Sequence, residues 1–295
     1  RLRKKILKTL TEIIEMIIAL PNKGRLSEPS IEILREAGIK IDYENRRLIA
    51  PTNKEGISVL FARARDIPEY VHKNAAQAGI TGIDLVEETG ADVEILVRLG
   101  FGKARLVVAA PIYSRIKTIY DLEGKTIATE FRRITERFFK EKGINIDIIE
   151  VAGACEIAPS IGIADAIVDL VSTGTTLKLN GLKVIEEIMK TEAALIANKK
   201  ELNNFKVQAL KTAIQSVINA KGMVYLMMNV PEDRLDKIKR ITPGLKGPTV
   251  MKVDADGMLA VHVVVHEDHL FELVEKLKNA GARDILVVPI QRLIF

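Results

Sequence analysis

The chemistry in this sequence concentrates where an apolar run carrying one carboxylate empties into a hydroxyl-rich turn. Ala166–Val171 is apolar apart from Asp169, and Ser172, Thr173, Gly174, Thr175 and Thr176 follow directly. Backbone N–H groups and the four hydroxyls of such a turn can converge on a phosphate, and Gly174 lets the backbone approach closely. Asp169, just upstream, can accept hydrogen bonds from two vicinal ribose hydroxyls. A diol acceptor beside a phosphate cradle describes a ribose 5-phosphate site. The same run also reads as a buried strand followed by an ordinary Ser/Thr-rich turn.

Cations fall at other predicted turns. Lys23, Gly24 and Arg25 follow a short apolar strand, Arg63 follows another, and Arg105 opens a third. Each alone also reads as a solvated surface charge; their joint placement at strand ends suits a highly anionic ligand. Thr81, Gly82 and Asp84 form a second tight turn, whose backbone can meet phosphate and whose carboxylate can orient a cation or a hydroxyl, or which simply caps a helix. Glu156 can touch a ribose or a metal-bound water, or cap the segment after it. His262, His266 and His269 lack the cysteine or tight carboxylate set of a metal site and read as surface or interface residues, and His72 stands alone. No catalytic triad and no G-x-x-x-x-G-K-[ST] loop is present, which disfavours a hydrolytic NTPase.

Positioning these residues requires an alternating α/β scaffold. Residues 1–15 read as a basic amphipathic helix, with Leu2, Ile6, Leu10, Ile13 and Ile14 at helical spacing. Ile17–Leu20 then forms a strand, with Ser27 as candidate cap of the helix carrying Ile31, Ile33 and Leu34. Strands are predicted at Ile57–Ala62, Ala78–Ile83, Leu106–Ala110, Lys125–Thr129, Ile146–Val151 and Ala166–Val171, with helical segments between them. Two α/β lobes around a cleft follow, with ligands expected at the carboxyl ends of strands. From about Met223 a β-α-β-β-α-β order predicts a ferredoxin-like domain. The expected division is a helical extension over 1–15, lobe I over 16–104 with a return segment near 191–220, lobe II over 105–190, and the ferredoxin-like domain over 221–295.

Composition narrows the class. With 47% hydrophobic and 28% charged residues and no low-complexity block, the chain is expected to fold. The single cysteine, Cys155, cannot form an internal disulfide, which fits a reducing cytoplasm. Apolar stretches are too short to span a membrane, and Glu12 and Glu15 break any signal-like core. A net charge of +5 with 4% aromatics suits anionic metabolites better than base stacking, so neither nucleic acid nor membrane is an expected partner.

Several dispersed motifs in order resemble the ATP phosphoribosyltransferase family. Ala164-Asp165-Ala166 followed by Asp169-Leu170-Val171-Ser172-Thr173-Gly174 is similar to its phosphoribosyl-binding signature. Leu20-Pro21-Asn22-Lys23-Gly24-Arg25-Leu26, Arg63 with Asp66-Ile67-Pro68, Gly79–Asp84, Gly100-Phe101-Gly102 and Glu156-Ile157-Ala158-Pro159 extend the likeness from Met16 to about Ile290. The resemblance implies a periplasmic-binding-protein-like catalytic region that joins phosphoribosyl pyrophosphate (PRPP) to N1 of ATP, with Mg²⁺ and with Lys23, Arg25 and Asp169 in catalysis. It further implies PRPP on Glu156, Asp169 and Ser172–Thr176, and ATP or phosphates on Lys23, Gly24, Arg25, Arg63, Thr81, Gly82, Asp84 and Arg105.

The C-terminal segment Ile241-Thr242-Pro243-Gly244-Leu245, with Gly247-Pro248-Thr249 and Leu286–Ile290, looks like the ACT-like regulatory domain of the family's long form. That implies feedback inhibition by histidine near Asn229 and Thr249 and a homo-oligomer between dimer and hexamer. Residues 1–15 depart from the resemblance, since such members normally begin close to Met16. The competing reading is a noncatalytic two-lobed small-molecule-binding or regulatory protein.

Overall fold

Short apolar runs ending at glycine turns fold here into three sheets. The computed structural model describes residues 16–42, 48–242, 244–245 and 247–295. The amphipathic helix expected over 1–15 and Pro243 lie outside the described residues. The chain divides within one helix: residues up to Lys211 form one unit and Thr212–Phe295 a second.

Lobe I of the first unit begins with β1 (Met16–Pro21) and α1 (Ser27–Glu36). Ser27 does not cap this helix: Leu26 holds the N-cap position without a side-chain bond. The reason is local. Gly24, at φ +81°, turns the chain so that its carbonyl already accepts the Ser27 amide at 3.1 Å. There follow β2 (Ile49–Pro51), β3 (Ile57–Ala62), α2 (Ile67–His72), β4 (Ala78–Gly82), α3 (Ile83–Thr89) and β5 (Val93–Arg98).

The chain then enters lobe II through β6 (Ala104–Pro111), β7 (Lys125–Thr129), α4 (Arg132–Glu141), β8 (Ile146–Glu150), β9 (Ala166–Val171), α5 (Thr175–Leu179) and β10 (Leu182–Thr191). It returns to lobe I as β11 (Ala193–Asn198) and runs into α6 (Phe205–Ala220). Sequence reading missed β2, β5, β10 and β11. Every residue of β11 is buried, so it lacks the polar alternation that marks a half-exposed strand.

Lobe I is a six-stranded sheet in the order β2-β3-β1-β4-β11-β5, and lobe II a five-stranded one in the order β10-β6-β9-β7-β8. In each, three neighbouring strands are parallel: β3, β1 and β4 in lobe I, β9, β7 and β8 in lobe II. Their carboxyl ends therefore gather on one edge. Lobe II packs Leu106, Val108, Ile127, Phe139 and Val168 on one face of its sheet, and Val107, Ile167, Val171 and Leu177 on the other.

The second unit carries β12 (Met223–Pro231), α7 (Leu235–Ile241), β13 (Thr249–Lys252), β14 (Met258–His266), α8 (Leu270–Ala280) and β15 (Arg283–Pro289). Its antiparallel order β13-β14-β12-β15 is the ferredoxin-like, ACT-like arrangement. Leu226, Met228 and Val230 pack with Ile238, Leu273 and Leu277 of the helices, leaving the opposite sheet face open. Among the described residues no helix is long and apolar enough to cross a membrane.

Candidate active site

Pairing of Thr129 with both Glu150 and Val168 aligns the carboxyl ends of β7, β8 and β9. That edge of lobe II therefore presents Glu130, the turn leading to Glu156, and Ser172–Thr176. The turn after β9 is exposed at Ser172, Thr173, Thr175 and Thr176, while Leu177 anchors it in the core. Gly174 adopts φ +79°, a conformation a side chain would strain, and α5 starts from it. The Thr173 and Thr175 hydroxyls lie 3.1 Å apart. Four residues with hydroxyl side chains thus stand exposed around a tight backbone turn.

Asp169 lies one turn of strand earlier, and its Oδ1 accepts the Leu170 amide at 2.7 Å. Burial pushes its carboxyl up to about 6, the Leu170 bond pulls it down, Glu156 and Glu130 raise it, and the Arg25 guanidinium lowers it. The carboxylates of Glu156 and Glu130 and, least, the Arg25 guanidinium of the loop after β1 thus act on Asp169 through their charge. Glu130, whose charge raises both Asp169 and Cys155, is a candidate site residue that the sequence reading did not single out. It directly follows Ile127-Ala128-Thr129, and the equivalent turn in a parallel sheet was the available signal. Cys155 is buried and its thiol is pushed up to about 12, first by burial and then by Asp169 and Glu130, so it is no nucleophile.

In lobe I the carboxyl ends of β1 and β3 are level, because Pro21 pairs with Ala62. Lys23, Gly24, Arg25 and Arg63 are all exposed along this edge. Arg65, a cation the sequence reading did not single out, donates to the Glu130 carbonyl at 3.2 Å and pairs with Glu150 at 3.5 Å, bridging the lobes.

The turn at Thr81–Asp84 behaves differently from its sequence reading. Thr81 is fully buried and donates to the Ala64 carbonyl at 2.7 Å. Asp84 is 2% exposed, and its carboxylate accepts the Thr191 hydroxyl at 2.6 Å while its amide donates back to that oxygen at 3.0 Å. Gly82 has no room for a side chain, since a Cβ there would strike the Asp84 carboxylate. The Thr81 and Asp84 side chains are engaged at the junction between β4, α3 and the strand returning from lobe II. The physical reason is burial: a carboxylate out of water must bond protein donors.

A further inter-lobe bond forms at α4. Glu88 of α3 is 8% exposed, and its two oxygens accept the Arg133 and Ile134 amides, each at 3.0 Å. Lobe I thereby caps the first turn of a lobe II helix that has no cap of its own. Glu87 pairs with Arg137 alongside at 3.0 Å.

Arg105 stands at the start of β6 opposite Val171, paired with Glu187 at 3.1 Å. In the second unit, Asn229 donates to Asp284 Oδ2 at 2.9 Å, and Thr249 is exposed opposite His262. His262 bonds Tyr225 at 3.1 Å, and His266 lies 3.2 Å from Asp268. Among the described residues no group of three His, Cys, Asp or Glu side chains is placed to hold a metal ion.

Comparison with known proteins identifies the family. The family model "HisG: ATP phosphoribosyltransferase" matches residues 63–216, and "HisG, C-terminal domain" matches residues 220–292. The chain is 54% identical to the ATP phosphoribosyltransferase of Methanosarcina barkeri, over 94% of this chain and 98% of that protein. It is 50% identical to that of Methanocaldococcus jannaschii, over 95% of this chain and all of that one. Among solved structures it is similar to a chain of the ATP phosphoribosyl transferase (HisG:HisZ) complex from Thermotoga maritima, with a TM-score of 0.60 and 28% identity, covering 68% of this chain and 98% of that one. With both family models matched in order and such relatives aligned along nearly their whole length, the chain belongs to the ATP phosphoribosyltransferase family, enzymes of the pentosyltransferase class.

Proposed function

We propose that this chain transfers the phosphoribosyl group of PRPP to N1 of the adenine ring of ATP, giving phosphoribosyl-ATP and pyrophosphate, the entrance to histidine biosynthesis. The observation that carries the reading is Asp169, a half-buried carboxylate near the end of β9, followed two residues on by a turn whose Ser172, Thr173, Thr175 and Thr176 are all exposed. Asp169 accepts from the ribose hydroxyls, with Glu156 beside it, while Ser172–Thr176 hold the 5-phosphate. The C1–oxygen bond to pyrophosphate breaks as the N1–C1 bond forms. N1 brings its own lone pair, and pyrophosphate leaves with the electrons of the broken bond, so no side chain needs to abstract a proton from the nucleophile. The work of the residues is positioning and charge: Lys23, Arg25 and Arg63 stabilise the phosphates as negative charge builds on the leaving group.

A magnesium ion fits this donor set as a substrate-borne ion. Mg²⁺ is usually held by one or two carboxylates together with substrate phosphates, and Asp169 with Glu156 would supply them. When bound, it neutralises charge on the departing pyrophosphate. The test is direct. Purified protein with Mg²⁺, ATP and PRPP is expected to form phosphoribosyl-ATP, read by its altered ultraviolet absorbance; no product at saturating substrates would overturn the reading.

Feedback inhibition by histidine is assigned to the ferredoxin-like unit beginning near residue 221, with Asn229 and Thr249 as contacts. Both belong to the sheet face that the helices leave open. The same face carries exposed Met251, Leu286 and Val288, which supports its use in a homo-oligomer. Thr249→Val and Asn229→Ala are expected to raise the histidine concentration for half-inhibition at least tenfold with unchanged uninhibited turnover. An unshifted inhibition curve in both variants would place the effector elsewhere.

A further inference from the structure

The ferredoxin-like unit holds a cavity of its own, of about 540 Å³, where β12 begins and β14 ends. Met223, Ile241, Val264, Val265 and Leu273 form its wall, so the interior is aliphatic. The mouth is polar. His266 and His269 stand there with Glu272 and Lys276 of α8. Neither Asn229 nor Thr249 lines this cavity, and Asn229 lies about 20 Å further along β12 than Met223.

Packing fixes the shape of this space. Gly244, at φ +61°, brings the turn after α7 so close to β14 that a Cβ there would stand 2.6 Å from Val263. The His266 ring lies against Gly222, where a Cβ would come within 3.1 Å of it, and its Nδ1 accepts the Asp268 amide at 3.4 Å. A wall held in this way relaxes only partly into the void beside it, and an apolar void forfeits the dispersion its lining would otherwise gain. A ligand with an apolar body restores those contacts.

Charge at the mouth selects the rest of the ligand. Glu272 Oε2 and Lys276 Nζ lie 3.3 Å apart, one helical turn from each other, and both side chains are exposed, so each keeps hydrogen-bonding capacity for a further partner. The Asp268 carboxylate stands 3.2 Å from His266. Both signs are therefore present round the rim. A lone anion or a lone cation meets its own sign there as well as its opposite, whereas a zwitterion finds a counter-charge for each of its ends.

We propose that this cavity binds a free α-amino acid with an aliphatic side chain, its carboxylate on Lys276, its ammonium on Glu272 and its side chain against Met223, Val265 and Leu273. The volume lies in the range of small-molecule sites. The assignment makes no use of the transferase reaction, and the site is separate from the one given to histidine.

The test is titration calorimetry of the full chain with L-leucine, L-alanine, 4-methylpentanoate and 3-methylbutylamine, comparing wild type with Glu272→Gln, Lys276→Met and Thr249→Val. Glu272 and Lys276 are 77% and 63% exposed, so neither rim change disturbs the core. Expected is saturable binding of L-leucine, with L-alanine at least tenfold weaker for want of an apolar body. Each singly charged analogue is expected to bind at least tenfold more weakly than L-leucine, because it leaves one rim charge unmatched. L-Leucine itself is expected to weaken about fivefold or more in each rim variant and to be unchanged in Thr249→Val. No saturable L-leucine binding at millimolar concentration overturns the site, and so does equal affinity in wild type and both rim variants. A sedimentation coefficient that falls in Lys276→Met would also overturn it, by giving the cavity to a neighbouring copy of the chain. Because binding is read without turnover, a protein that binds L-leucine through Lys276 yet makes no phosphoribosyl-ATP would refute the reaction and leave the cavity standing.

Discussion

The Asp84 carboxylate accepts the Thr191 hydroxyl at 2.6 Å, joining the head of α3 in lobe I to the last residue of β10 in lobe II. Both residues are almost fully buried. The bond therefore holds a charged group that water cannot serve, at one of the two places where the chain passes between lobes.

Replacing Thr191 with Val keeps its shape and removes the donor. Leaving a buried carboxylate short of a bond is expected to cost about 2–3 kcal/mol. Urea unfolding of Thr191→Val measures it, and a loss below about 0.5 kcal/mol would show that the carboxylate finds another donor.

Glu88 offers a comparison between a buried cap and an exposed ion pair on the same two helices. Glu88→Ala strips two amides of α4 of their acceptor and is expected to cost about 1–2 kcal/mol. Arg137→Ala breaks the neighbouring pair with Glu87, whose partners are 51% and 42% exposed, and is expected to cost under about 1 kcal/mol. Equal losses in the two variants would refute the ranking. Glu88→Ala is also expected to lower kcat/KM, since α4 starts next to Glu130.

Asp169 gives a pH dependence whose sign is set by its raised carboxyl, about 6 against 3.8 for the free side chain. The protonated acid is a weaker acceptor and turns one oxygen into a donor, so kcat/KM for PRPP is expected to fall about tenfold per pH unit below pH 6. Stability runs the other way. A raised acid contributes stability that is present below the unfolded value and lost as pH rises through about 6. Asp169→Asn is therefore expected to flatten the acid limb and to gain stability relative to wild type above pH 6. An acid limb unchanged in that variant would assign the titration to another group.

Cys155 makes the opposite case, a thiol near the site that takes no part in chemistry. With its thiol pushed up to about 12 and its side chain buried, it is expected to resist iodoacetamide at pH 8 in the native protein and to react on unfolding. Rapid modification of native protein, followed by mass spectrometry, would contradict this.

What could be read in the sequence was local. The Asp169–Thr176 run declares itself because carboxylate, glycine and hydroxyls are consecutive, and strand period with turn chemistry locates them. The β-α-β-β-α-β order of the second unit was legible for the same reason. Asp84 and Glu88 were not, because both looked like ordinary residues of a helix start and a helix face. Their partners lie 107 and 45 or more residues away, and only tertiary pairing turns a surface-type carboxylate into a buried acceptor. The pairing of Lys190 on β10 with Arg105 on β6 was hidden likewise, since it depends on the register of a strand missed in the sequence.

The position of β11 has a consequence for how the chain is made. Its residues, 193–198, fill the slot between β4 and β5, which are complete about a hundred residues earlier. As the chain leaves the ribosome, lobe I waits with a gap in the middle of its sheet, while all strands of lobe II, β6 to β10, emerge in one continuous stretch. Ala104 and Thr191 are paired, so the ends of that stretch meet. Lobe II can therefore close before the lobe that begins the chain, and the earlier-synthesised half is the later to be finished.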